Sequence, residues 1–143
     1  MSELAAGGVS RTTIDDVLDA ARARIRRYTP AEALAAQQAG ALLVDTRTAD
    51  DLRLHGSVPG ALHFPLSVLP WRADPDCEWR DDRIARPDAE VVLLCKDGWS
   101  SSLAAALLAA IGFATVGDVD GGFVAWAEAG LPVTAPGSPI LSP

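Results

Sequence analysis

The stretch that decides the fold is Val91-Val92-Leu93-Leu94-Cys95-Lys96-Asp97-Gly98-Trp99-Ser100, followed by a largely apolar run from Ser101 to Ile111. Four consecutive apolar residues that end in a polar loop predict a buried strand of a parallel sheet. The run that follows is apolar almost all round, which predicts a buried helix ending at Gly112. A strand, a short loop and a helix in this order are the building unit of an α/β domain.

The same alternation is found on both sides of this stretch. Thr29-Pro30-Ala31-Glu32 has an N-cap Thr, Pro at the first helical position and Glu three residues after the cap, which predicts a helix running to Gly40. Ala41–Val44 is a second short apolar run and ends in Asp45. The remaining predicted elements are weaker strands at 61–64 and near 115–116, and a short helix at 122–129. We therefore predict one α/β domain with a central, mostly parallel sheet.

The ends and one internal segment have different patterns. Residues 1–11 and 134–143 are predicted to be a loose lead-in and tail, and 71–87 an irregular excursion over the surface. A first helix is predicted to begin near Thr13, with its apolar face at helical spacing up to Ile25. Its later turns would carry four arginines, which we interpret as a solvated face: Arg22, Arg24, Arg26 and Arg27.

The charge and hydropathy patterns exclude several classes of protein. The formal net charge is -7, and an acidic chain is repelled by phosphate backbones and anionic lipid. We therefore predict no nucleic-acid partner and no membrane partner. The N-terminus shows no basic region followed by an apolar run, and the stretch 103–116 is too short to span a bilayer. The cytoplasm is the expected compartment.

The two cysteines, Cys77 and Cys95, form neither a C-x-x-C pair nor a cluster with His55 and His63, so we predict no metal site. Cys95 lies where the predicted strand stops, and ligands of parallel sheets bind at that end of the strands. A loop that curls into a helix N-terminus points backbone N–H groups inward, and these groups stabilise a thiolate. A cysteine at a strand end can also be a small buried side chain without chemistry, so position alone leaves both interpretations open.

The loop resembles the C-x-x-G-x-R/T loop of rhodanese domains. Other stretches resemble motifs of the same family. Leu43–Arg47 resembles its D-x-R strand end, Asp51-Leu52 its acidic-aromatic pair, and Gly56–Ala61 its G-H-I-P-G-A turn. Asp120–Phe123 with Ala125-Trp126 resembles its G-G-x-x-x-W helix, and Gly130–Val133 its final G-x-P. The chain departs from the family at Ser100, where many relatives have Arg, and at Ser57, where they have His. Ser100 leaves Lys96 as the only basic side chain of the loop.

The resemblance implies a rhodanese-like three-layer domain at 28–134, preceded by a tail and helix at 1–27 and followed by a flexible tail at 135–143. It implies a sulfurtransferase that needs no metal or organic cofactor. Cys95 would carry sulfur as a persulfide, from a small anionic donor such as thiosulfate to a thiol or cyanide, with a protein as a further candidate acceptor. The residues expected to bind the anion are those of the loop: Lys96, Asp97, Gly98, Trp99, Ser100 and Ser101.

Three assignments next to the loop stay open at this stage. Asp45 and Arg47 are predicted to hold the structure together near the site, although a catalytic role is conceivable. Trp99 is expected either to flank the mouth of the site or to support the loop as an apolar prop. Cys77 and the two histidines are predicted to have no catalytic role, the histidines being surface or packing residues.

Two alternative functions are compatible with such a chain. A module that keeps the fold without turnover would bind a partner or pass on a persulfide. A cysteine phosphatase or arsenate reductase would need a C-x5-R loop, in which Arg clamps a tetrahedral oxyanion. Here Ser101 occupies that position and no Arg follows Arg86, which argues against the phosphatase.

Overall fold

The computed structural model describes residues 10–137; the remaining parts of both predicted tails, 1–9 and 138–143, lie outside the described residues. Within this range the chain forms one sheet in the order β1-β5-β4-β2-β3, and all four pairings are parallel. The strands are β1 (Arg26–Tyr28), β2 (Leu42–Asp45), β3 (Leu62–His63), β4 (Glu90–Leu94) and β5 (Thr115–Val119).

Helices connect the strands, as parallel pairing requires. They are α1 (Ile14–Arg22), α2 (Pro30–Gln38), α3 (Ala49–His55), α4 (Leu69–Ala73), α5 (Ser100–Ala110) and α6 (Gly122–Glu128). The N-terminal signals of the first two helices are confirmed, because Thr13 and Thr29 each form a capping box with the acidic residue three positions later. Each box satisfies two backbone donors that the first helical turn leaves without partners.

The sheet separates two apolar cores, which makes the fold three-layered. Side chains alternate between the faces of a strand, so Val91 and Leu93 of β4 pack on one side and Val92 and Leu94 on the other. The first core is completed by α5, against which α1 and α4 pack. The second includes Phe123 and Trp126 of α6 and side chains of α2. The predicted three-layer α/β architecture is confirmed, with a sheet that is parallel throughout.

The predicted first helix is wrong in its last turns. The helix ends at Arg22, and Arg26 and Arg27 belong to edge strand β1, which pairs with Gly117 and Asp118 of β5. The helical periodicity of the sequence continues into this segment, whereas the strand forms only with a partner strand 91 residues further along the chain. The domain boundary predicted between residues 27 and 28 falls inside this strand.

Two short helices were not predicted from the sequence, α3 and α4, and α4 occupies the start of the predicted irregular excursion. The rest of that excursion, residues 74–89, consists of turns, with Ile84 buried in the first core. Between residues 10 and 137 no helix is long and apolar enough to cross a membrane. The same range contains no cluster of three or more His, Cys, Asp or Glu side chains suited to a metal ion.

Candidate active site

Cys95 follows the last residue of β4, and the loop after it leads into α5. Its side chain is buried, with 6% of the residue exposed. The sulfur accepts a hydrogen bond from the backbone N–H of Gly98 at 3.1 Å and donates its own proton to the Ser101 hydroxyl at 3.1 Å. The loop therefore folds back over the cysteine and surrounds the sulfur with polar groups.

These polar groups change the acidity of the thiol. Burial by itself raises the pKa of Cys95, because a thiolate is poorly solvated inside the protein. Once the thiolate forms, hydrogen bonds to it from the side chain and backbone of Ser101, the Ser100 hydroxyl and the Gly98 N–H together outweigh burial, and they hold the pKa below its ordinary value. The N-terminus of α5 adds the positive end of its dipole on the same side. Cys95 thus lies in surroundings that favour a nucleophilic thiolate.

The tight curl of the loop depends on a glycine pair elsewhere in the chain. Gly98 has a φ of +84°, and a Cβ there would lie 2.7 Å from the backbone nitrogen of Gly121. A Cβ on Gly122 would come within 2.5 Å of the carbonyl oxygens of Cys95 and Lys96. The absence of side chains lets the start of α6 approach the loop, where the N–H of Phe123 donates to the Cys95 carbonyl at 2.8 Å. The two Gly-containing motifs are therefore parts of one contact.

Two arginines from the N-terminal segment hold the other side of the loop. Arg22 Nη2 donates to the carbonyl oxygen of Gly98 at 2.8 Å, and Arg27 Nη2 donates to the same oxygen at 2.9 Å. Arg27 Nε also pairs with Asp118 at 3.1 Å. The interpretation of these two arginines as a solvated face is wrong: both side chains are partly buried and contact the loop. They bring positive charge to a loop that lacks the arginine of many relatives.

Asp118 of β5 is the buried charge behind the loop, with 0% of the residue exposed. Its Oδ2 accepts hydrogen bonds from the hydroxyls of Ser101 and Ser102, both at 2.7 Å. Sequence reasoning did not single out this residue. The available signal was a lone carboxylate in the short strand Thr115–Val119, and nothing local indicated which groups it would meet.

Asp45 and Arg47 form a buried ion pair, with Nη2 of the arginine 2.8 Å from Oδ2 of the aspartate. Arg47 Nη2 also donates to the carbonyl of Gly56 at 2.9 Å, and its guanidinium lies 3.8 Å from the centre of the Phe123 ring. His63 is buried with its Nε2 2.7 Å from the carbonyl oxygen of Arg47. These contacts tie the ends of β2 and β3 to α3 and α6.

The remaining loop side chains face outward. Lys96 and Asp97 are exposed, and Trp99 is 66% exposed. An open cavity of about 380 Å³ lies beside Lys96 and is also bordered by Arg47, His55 and Glu128. It carries charges of both signs next to the loop. Cys77 lies apart from the loop in the segment after α4, where it is partly exposed.

The chain is similar in sequence to two proteins named as sulfurtransferases. A sulfurtransferase of Allochromatium vinosum is 36% identical over 95 residues, which cover 66% of this chain and 79% of the relative. A thiosulfate sulfurtransferase GlpE of Pseudomonas savastanoi pv. phaseolicola is 35% identical over 103 residues, covering 71% of this chain and 86% of the relative.

Among solved structures, a protein of unknown function from Rhodopseudomonas palustris, described as a possible tyrosine phosphatase, superposes with a TM-score of 0.79 at 29% identity, covering 89% of this chain and all of that one. The polysulfide-sulfur transferase homodimer of Wolinella succinogenes has a TM-score of 0.66 at 26% identity, covering 82% and 84% of the two chains. The profile of the rhodanese-like domain matches residues 29–129. With this match, and with sulfurtransferases among its relatives, the chain belongs to the rhodanese family.

Proposed function

We propose that this protein transfers sulfane sulfur from a small anionic donor to a thiophilic acceptor through a persulfide on Cys95. The observation that carries the proposal is the hydrogen-bonded position of the Cys95 sulfur, between the Gly98 N–H and the Ser101 hydroxyl at the start of α5. Several hydrogen-bond donors around a buried sulfur stabilise its thiolate in place of bulk water. The thiolate is the nucleophile that this reaction needs. The family membership and the sulfurtransferase relatives support the same chemistry.

The reaction divides into two displacements. The Cys95 thiolate attacks the sulfane sulfur of thiosulfate, a new S–S bond forms, and the bond between the two thiosulfate sulfurs breaks with its electron pair on the departing sulfite. An acceptor such as cyanide or a thiolate then attacks the outer sulfur of the persulfide, and the Cys95 thiolate is released. The backbone N–H of Gly98 and the hydroxyls of Ser100 and Ser101 would stabilise the negative sulfur in both steps. Neither step needs a metal or an organic cofactor.

Charge near the loop mouth supports an anionic donor. Lys96 is exposed beside the cavity, and the partly buried Arg22 and Arg27 contact the loop from behind. Asp97 and the acidic surface of the chain oppose them, so the attraction would be local. We propose thiosulfate as the first donor to test and a thiol, on a small molecule or on a partner protein, as the acceptor in the cell.

The deciding experiment measures the intact mass of the reduced protein after incubation with thiosulfate. We expect a gain of about 32 Da, one sulfur, that is lost on adding cyanide. Cys77→Ser is the matched control, because it removes the other thiol and should keep the gain, whereas Cys95→Ser should abolish it. A gain that needs Cys77, or one that persists in Cys95→Ser, would refute the proposal.

The same samples test the alternatives. A stable persulfide on Cys95 with negligible cyanide-dependent turnover would indicate a relay module that serves a protein partner. Hydrolysis of an aryl phosphate that depends on Cys95 would indicate a phosphatase. We expect no such hydrolysis, because the position of the phosphatase arginine is held by Ser101, whose hydroxyl is bonded to Asp118.

A further inference from the structure

The hydrogen bonds around Ser101 assign a direction to its proton. Asp118 is a carboxylate and accepts only, so at 2.7 Å the Ser101 hydroxyl must be the donor. A hydroxyl has a single proton, so Ser101 can offer the Cys95 sulfur only a lone pair. The thiol donates its own proton to that lone pair, and Cys95 Sγ lies 3.1 Å from the Ser101 oxygen. The resting arrangement is a chain that runs from thiol to hydroxyl to carboxylate.

From this hydrogen-bond chain we propose that Asp118 is a positioning residue that opposes ionisation of the Cys95 thiol, by keeping the Ser101 proton away from the sulfur. When the thiol loses its proton to water, the Ser101 hydroxyl turns and donates to the thiolate. Asp118 then keeps its hydrogen bond from Ser102 and its ion pair with Arg27. The residue therefore opposes thiolate formation until Ser101 reorients. The consequence for turnover rests on the function proposed above, but the protonation of Cys95 does not.

Other charged groups lie around this hydrogen-bond chain. Arg27 lies 3.1 Å from Oδ1 of Asp118 and forms an ion pair with it, and Arg22 donates to the Ser102 hydroxyl at 3.1 Å. Lys96 and Asp97 are exposed on the loop, and the ion pair of Asp45 and Arg47 lies at the end of the neighbouring strand β2. Because Arg27 pairs with Asp118, part of the charge of Asp118 is offset, and the orientation of the Ser101 hydroxyl is the contribution specific to Asp118.

Arg27 makes the substitution Asp118→Asn informative. The Arg27 Nε donates to Oδ1 of Asp118, so the amide oxygen of an asparagine at position 118 would face Arg27. Its NH2 group would then face the two serines. Ser101 would then accept from the amide and direct its own proton to Cys95. The variant also loses one negative charge near the sulfur. Both changes stabilise the thiolate.

The test measures the rate of Cys95 alkylation by iodoacetamide against pH in a Cys77→Ser background, which leaves a single thiol. We expect Asp118→Asn to shift the profile to lower pH and to speed alkylation at pH 6 on the order of fivefold, because the reactive species is the thiolate. Asp120→Asn is the matched control: Asp120 also pairs with Arg27 at 3.1 Å but is 67% exposed in its side chain and contacts neither serine. We expect its profile to match that of the background protein.

Ser101→Ala provides a second, independent test. It removes the donor that the thiolate would gain, so its profile should move to higher pH. In that variant Asp118→Asn should have a smaller effect, because only the loss of the negative charge remains. A Ser101→Ala shift to lower pH, or an Asp118→Asn effect that is unchanged, absent or reversed, would overturn the inference. If Asp118→Asn does not fold, the direction of the Ser101→Ala shift decides alone.

Alkylation uses no sulfur donor, so its result does not depend on the mass experiment with thiosulfate. If the profiles shift as expected but no persulfide forms, the inference about Asp118 stands and the proposed function fails. If the persulfide forms but Asp118→Asn leaves the profile unchanged, the proposed function stands and this inference fails.

Discussion

The two cysteines have similar local turns and different surroundings. The Cys77 sulfur accepts the backbone N–H of Trp79 at 3.4 Å, and the Cys95 sulfur accepts that of Gly98 at 3.1 Å. After Cys77 the next helix or strand is β4, which begins at Glu90, whereas α5 begins five residues after Cys95. Only at Cys95 do groups from β5, α6 and the N-terminal segment meet around the turn. A local turn therefore supplies one hydrogen-bond donor to each sulfur, and tertiary contacts supply the other groups that surround Cys95.

The largest expected effect comes from Arg27→Met, which removes a support that Cys95 has and Cys77 lacks. The variant leaves the buried carboxylate of Asp118 without its ion pair, which we expect to cost about 3 kcal/mol of unfolding free energy. Urea denaturation of the variant and the parent protein measures this loss of unfolding free energy. Arg24→Met is the control, since Arg24 is exposed and should change stability by less than about 0.5 kcal/mol. Equal losses of unfolding free energy in both variants would mean that the ion pair of Arg27 and Asp118 does not stabilise the fold around Cys95.

The next effect is that of Gly98→Ala on sulfur transfer. The new Cβ would meet the backbone of Gly121 and would also require a φ of +84°, so the loop must open. A displacement of about 1 Å at the reacting group lowers the rate on the order of 100-fold, which a cyanide-coupled assay would measure. Gly112→Ala is the control, because Gly112 has a comparable φ of +109° and no atom lies within 4 Å of the added Cβ. We expect this variant to transfer sulfur at the rate of the parent protein.

A smaller effect is expected in the acidity of the Cys95 thiol, compared with the same thiol in an unfolded chain. Burial raises the pKa of Cys95, but the bonds from Ser101, Ser100 and Gly98 together outweigh it and lower the value below that of an ordinary thiol. The thiolate fraction therefore rises at lower pH than in an unperturbed thiol. Alkylation followed by peptide mass spectrometry should show Cys95 reaching its maximal rate at a lower pH than an unfolded reference peptide of the same sequence. A midpoint above that of the peptide would mean that burial dominates.

The smallest effect is expected for Trp99→Ala. An exposed side chain contributes little packing, so the unfolding free energy should change by less than about 0.5 kcal/mol. A loss of about 2 kcal/mol or more would restore the role of an apolar prop for the loop. Thermal unfolding of the variant beside the parent protein distinguishes the two.

Much of the fold could be predicted from local signals. The two Thr caps, the apolar runs ending at Asp45 and Cys95, and the apolar helix after Ser100 all lie close to their predicted places. The failure at β1 is physical, because three residues with no apolar alternation become a strand only when β5 offers an edge. The short helices α3 and α4 carry too few residues for a periodic pattern.

The sequence by itself determined the α/β class, four of the five strands and the loop that carries Cys95, because apolar runs, caps and glycines act over a few residues. Only the tertiary structure decided which groups surround the sulfur. Arg22, Arg27 and Asp118 are 17 or more residues from the loop, and no local pattern records that their side chains converge. A buried charge needs partners, and the fold, through the pairing of β1 with β5, selects them.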